Sequence, residues 1–143
     1  MLDHICFNVK DVEKTAELLS HFGYIEKRRT PHHGGSIEVY CKEQPDLVIE
    51  LMTQREGDFA GFNHACFLLS GKEEYDELVA QGLNFKGNYH FVADSGRYVD
   101  NLVDEDGIKW QVTADHISAA VGYAKEFKWE AKNASGKVVA SGE

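Results

Sequence analysis

A short pattern that returns 60 residues later constrains this chain more than any other feature. His4-Ile5-Cys6-Phe7 recurs as His64-Ala65-Cys66-Phe67, and Leu18-Leu19 recurs as Leu78-Val79 at the same offset. Ile49-Glu50-Leu51 is echoed by Trp110-Gln111-Val112 at an offset of 61. Three matches in nearly one register indicate a duplicated unit, which must be recognised before single elements are read.

The first copy reads strand, helix, then strands. Leu2–Val9 is an apolar run with two polar insertions, the mark of a buried strand. Asp11 is a good helix N-cap. Val12, Ala16, Leu19 and Phe22 follow at helical spacing until Gly23 stops the helix. A short strand fits residues 25–29, a turn-rich loop spans Pro31-His32-His33-Gly34-Gly35, and residues 37–41 and 46–52 read as two more strands. The second copy repeats the plan. It has a strand at 62–69, a helix at 71–81 burying Tyr75, Leu78 and Val79, and strands at 89–93, 98–103 and 108–113. Asp104-Glu105-Asp106-Gly107 makes a tight turn before the last strand, because Asp-Gly supplies positive φ cheaply.

The fold class expected is therefore α+β, with two tandem βαβββ modules forming a curved mixed sheet around a cup. Module one covers 1–55 and module two 61–114, together one domain over 1–114. Residues 115–143 form a C-terminal extension without a counterpart in module one. Ile117, Ala120, Val121 and Ala124 suggest a short helix there. Residues 127–131 alternate like a strand, and a turn at 133–136 would return the chain as a hairpin through 137–140, with a frayed polar end as the alternative.

Composition narrows the function. Fifteen basic residues against 24 acidic ones give a formal net charge of −9, which argues against a nucleic-acid or anionic-membrane surface. No run approaches the roughly 20 apolar residues of a membrane span, and the N-terminus lacks the order of a signal peptide. Three cysteines without a CxxC pair suit a reducing cytoplasm.

Strand alternation then gathers the chemistry. His4 and Cys6 share one face of the first strand, and His64 and Cys66 share the matching face of its repeat. Glu50 and Gln111 each stand opposite their bulky neighbours. If the bulky residues pack under the helices, two imidazoles, a carboxylate and an amide converge in the cup. A mid-strand glutamate is costly to bury alone, and a divalent cation relieves that cost. His with carboxylate suits zinc, iron, nickel or manganese. The alternative is histidines hydrogen-bonded within the core and a Glu50 paired with Arg or Lys. Cys6 and Cys66 read as buried small hydrophobes, with soft ligation toward zinc the other option. His32 and His33, in their Gly-flanked loop, are a candidate lid, with a solvated loop the alternative.

From residue 2 to 113 the chain resembles the glyoxalase/bleomycin-resistance/extradiol-dioxygenase superfamily, the vicinal oxygen chelate fold. The Leu2-Asp3-His4-Ile5 opening and the stretch 96–111 around Asp104-Glu105-Asp106-Gly107 carry the resemblance. It implies metal ligation by His4, Glu50, His64 and Gln111. It also puts Arg97 and Tyr98 on strands that line the cup, as candidate substrate-binding residues, Arg97 for a carboxylate, with Tyr89 and His90 on the preceding strand as further candidates. Gln111 departs from the pattern, since family enzymes usually place there a Glu that is both ligand and proton-transfer base. An amide can coordinate through oxygen but cannot move a proton. Glu50 is thus the remaining catalytic carboxylate.

The leading expectation is a cytoplasmic, divalent-metal-dependent lyase or isomerase of glyoxalase type. It would act on a small oxygen-chelating substrate through an enediolate-type intermediate, with Glu50 as base. A metal-free binder of a drug-like ligand, suggested by Gln111, is the alternative. An extradiol-type dioxygenase using His4, His64 and Glu50 around iron is another, though that ligand choice differs from the family's usual one. The resemblance also implies a homodimer.

Overall fold

The structure, a computed structural model, describes residues 1–87, 89–113, 129–132 and 138–142. Module one runs β1 (Leu2–Val9), α1 (Val12–Ser20), β2 (Tyr24–Thr30), β3 (Ser36–Cys41) and β4 (Gln44–Thr53). Module two repeats it with β5 (Gly61–Leu68), α2 (Lys72–Ala80), β6 (His90–Val92), β7 (Arg97–Val103) and β8 (Lys109–Thr113). The eight strands form one curved mixed sheet in the order β2-β3-β4-β1-β5-β8-β7-β6. Each half of that order is the mirror of the other, so the sequence repeat becomes a spatial one.

The modules meet where β1 runs antiparallel to β5. Within each module the first and last strands pair in parallel, β1 with β4 and β5 with β8. The register places Cys6 opposite both His64 and Glu50, and Cys66 opposite both His4 and Gln111. The repeated His-x-Cys motif therefore interleaves, each histidine facing the other module's cysteine across the central seam.

Alternation along the strands separates the two faces. Ile37, Val39 and Leu51 are buried on the side that α1 covers. Leu69, Tyr75, Phe85 and Val112 make the core beneath α2, with Leu78, Tyr89 and Leu102 against it. Asp11 caps α1 as expected, its carboxylate accepting from the Lys14 amide at 3.1 Å, which stabilises a helix start by about 1 kcal/mol. The helix stripes are narrower than their periodicity suggested. Phe22 lies beyond the end of α1 and is 71% exposed, and Val79 stands half out of α2. Both helices are only nine residues long, so Phe22 falls outside α1, whereas Val79 stays within α2 but is not covered.

The turn before β8 forms as expected. Gly107 has φ +79°, and the Asp104 carboxylate accepts from the amides of Asp106 and Ile108 and from the Trp110 indole. In the C-terminal extension, β9 (Trp129–Lys132) and β10 (Val138–Gly142) pair antiparallel and lie beside β2; the expected turn at 133–136 lies outside the described residues. The expected helix at 117–124 lies outside the described residues. Among those described, no helix is long and apolar enough to cross a membrane.

Candidate metal centre

Three polar side chains from three strands meet at the sheet's centre. His4 on β1, Glu50 on β4 and His64 on β5 are 0%, 4% and 3% exposed. His4 Nε2 lies 3.2 Å from His64 Nε2 and 3.2 Å from Glu50 Oε2. Ligand atoms about 2.1 Å from one ion, at tetrahedral to octahedral angles, sit about 3.0–3.4 Å apart. The spacing is that of donors sharing one ion.

The other ring nitrogens are tied down. His4 Nδ1 donates to Asp3 Oδ2 at 2.7 Å, and His64 Nδ1 donates to Asn63 Oδ1 at 2.6 Å. Such outer contacts fix the ring orientation and leave Nε2 for a metal. Ser36 Oγ donates to Glu50 Oε1 at 3.1 Å, which leaves Oε2 toward the histidines. Asp3 and Asn63 occupy the same repeat positions, an outer pair that the reading of the sequence missed. The signal was present in the paired dipeptides Asp3-His4 and Asn63-His64.

The charges follow from this packing. Burial and the nearby Arg97 charge oppose a proton on His4, yet its pKa stands well above the usual imidazole value, with Asp3 accepting from Nδ1. Cys66 also lies beside the ring. Burial pushes Glu50 up, but the His4 hydrogen bond and charge, with Arg97, hold the carboxyl well below its usual range. His64 goes the other way, brought down to about 3 mainly by burial and so neutral at pH 7. Burial raises both Cys6 and Cys66, which keeps them as thiols. The metal-free centre is thus a His4–Glu50 ion pair beside a neutral imidazole. A cation would take the place of the shared proton, and the donor set fits one.

Beneath this centre runs a buried polar chain. Glu38, the register partner of Glu50 on β3, accepts from Arg97 at 2.6 Å and from Arg28. Arg97 also lies 3.7 Å from Asp3. Arg28 donates onward to the Ser95 carbonyl at 2.6 Å. Burial favours the neutral acid at Glu38, but the Arg97 and Arg28 charges hold the carboxyl below its usual value.

A cavity of about 400 Å³ opens above. Glu50 and His64 reach it, while His4 lies beneath them, out of contact with solvent. Gln111 lines it too, its amide nitrogen donating to Asn101 Oδ1 at 3.1 Å, which leaves the amide oxygen as the potential fourth donor. Adjacent strand residues face opposite ways. Arg97 therefore lines the cavity, whereas Tyr98 turns to the outer face and stacks on Tyr89 with ring centroids 5.6 Å apart. His90 lines the cavity but Tyr89 packs on Tyr75. His32 and His33 stand at the rim, bonded to Asp94 at 2.8 Å and to the Thr53 carbonyl at 2.9 Å. Lys109, overlooked in the sequence because it lies between the turn and Gln111, also lines the cavity, and burial lowers its ammonium pKa.

No sequence-family profile matches this chain, and no curated protein matches it in sequence. Solved structures do match in shape. Methylmalonyl-CoA epimerase from Mycobacterium tuberculosis superposes with TM-score 0.67 at 17% identity, over 83% of this chain and 91% of that one. Hypothetical protein BH1468 from Bacillus halodurans C-125 gives TM-score 0.66 at 17% identity, over 81% and 94%. The 2,2′,3-trihydroxybiphenyl 1,2-dioxygenase of Sphingomonas wittichii RW1 gives 0.60 at 15%, over 80% of this chain and 42% of that larger one. At such identities the likeness is one of fold. The chain has the vicinal oxygen chelate fold, with a candidate metal centre on its concave face.

Proposed function

We propose that this chain is a divalent-metal-dependent lyase or isomerase of glyoxalase type, acting on a small oxygen-chelating substrate through an enediolate-type intermediate. The convergence of His4 Nε2, His64 Nε2 and Glu50 Oε2, with both Nδ1 atoms already engaged, carries this reading. His4, Glu50, His64 and the Gln111 amide oxygen are the residues to hold the ion. A bound zinc, nickel, iron or manganese ion supplies Lewis acidity toward a carbonyl oxygen.

The protein's own groups supply the rest. Glu50 is the one carboxylate among the described residues lining the cavity, ionised at neutral pH and placed at the cavity floor. It is the base that takes a proton from carbon next to a carbonyl. Gln111 cannot share this task, since an amide does not titrate. Ser36 holds one Glu50 oxygen in place, and Arg97 borders the bound substrate. A cytoplasmic homodimer completes the reading; light scattering checks the dimer.

The test is solvent deuterium exchange at carbon, followed by NMR with metal-loaded protein and hydroxy-ketones, thiohemiacetals and 2-oxo acid derivatives. Glu50→Gln should lower exchange by roughly 10²-fold or more while the metal binds more weakly. Exchange retained in that variant overturns the assignment of the base.

An extradiol-type dioxygenase is the second reading, favoured by one observation. Two histidines and one carboxylate are the ligand set of non-haem iron oxygenases, and the structure brings together that set. Oxygen uptake by iron-loaded protein with a catechol would select it over isomerisation.

A further inference from the structure

The cavity is cationic in an acidic protein. Glu50 is the one carboxylate among the described residues lining it, whereas Arg55, Arg97 and Lys109 all carry positive charge, in a chain of formal net charge −9. Two of the three are committed elsewhere. Arg97 is held by Glu38 at 2.6 Å and lies 3.7 Å from Asp3. Arg55 is an exposed rim residue 4.0 Å from Asp58.

Lys109 differs. It is half-buried at the start of β8, and its side-chain ammonium makes no hydrogen bond and no ion pair with a described residue. The β5–β8 ladder sets it directly beside His64, and Gln111 follows two residues on along the same face. Adjacent strands lie about 4.8 Å apart, so its charge stands within one small molecule's length of the metal centre. A half-buried ammonium with no carboxylate in direct contact carries a desolvation cost that an anion in the cavity offsets.

We propose that Lys109 is the anion anchor of this cavity. It receives a carboxylate at one end of a small substrate whose other end, a 2-oxo or 2-hydroxy acid, lies over the candidate metal centre at Glu50 and His64. This names the substrate class for the metal-dependent reading and rests on it: oxo or hydroxy acids with a second, distal carboxylate. The choice of lysine suits a single anionic oxygen group approached by a flexible stem, where the Arg97 fork is already engaged by Glu38.

Calorimetric titration of zinc-loaded protein with 2-oxoglutarate and with 2-oxopentanoate, which lacks the distal carboxylate, tests it. Wild type should bind 2-oxoglutarate at least ten-fold more tightly. Lys109→Met should erase that preference without changing 2-oxopentanoate affinity or the melting temperature, and Lys109→Arg should restore part of it. Equal affinities in wild type, or a preference that survives Lys109→Met, overturn the anchor. Glutarate titrated into chelator-stripped protein separates the two layers. If its binding needs Lys109 while zinc changes neither oxo acid, the anchor stands and the metal reading falls.

Discussion

His4 shows how a single side chain sets the behaviour of the centre. Its imidazole is wholly buried between Asp3 on one nitrogen and Glu50 with His64 on the other, and it keeps its proton well above the usual imidazole range. A metal must displace that proton. Affinity should therefore rise with pH, by about ten-fold per unit while one proton is released, as competitive chelator titrations between pH 6 and 8 would measure. An affinity flat across that range would show that His4 is no ligand. That His4, Glu50 and His64 gather at one place was legible in the sequence, because alternation and the repeat put them on one face. Arg97, Glu38 and Lys109 were harder to assign. Their roles depend on which charges meet across β3, β7 and β8, and no spacing along the chain states that.

At the level of elements, the duplicated βαβββ unit was readable because its signals are local: an Asp11 cap, the Gly23 stop, and an Asp-Gly turn before β8. The extent of burial was less so. Phe22 and Val79 keep helical spacing, yet Phe22 lies past the end of α1 and Val79 stays half exposed on α2, because spacing alone does not say where a helix ends or which of its apolar residues meet the sheet. Gly107 offers a clean test of the turn. Its φ of +79° is costly for a side chain, while a methyl group there would meet nothing within 4 Å. Gly107→Ala should thus destabilise by about 1–2 kcal/mol through backbone strain alone, seen in denaturant melts. A neutral result would mean that the turn relaxes freely and does not set the position of Gln111.

Across the whole molecule, the two modules are joined both through the sheet and through buried charge. β1 and β5 join them through the sheet, and the buried Arg28–Glu38–Arg97 chain joins them across the cup, reaching Ser95 of module two. Removing one partner of a buried pair leaves the other uncompensated, so Arg97→Met should cost about 3–5 kcal/mol. The pH dependence follows from Glu38. Its folded pKa is depressed, so its contribution is complete above the unfolded value near 4.5 and is lost as pH falls below it. Melting temperatures should fall steeply below that pH in wild type and less steeply in Arg97→Met. The proposed metal centre is tested most directly by metal content, read by inductively coupled plasma mass spectrometry. Purified, untagged protein should carry close to one equivalent of zinc, nickel, iron or manganese per chain, and His64→Ala, folded by circular dichroism, should lose it. Protein that takes up no metal after reconstitution, or a His64→Ala variant that keeps a full equivalent, would contradict the account.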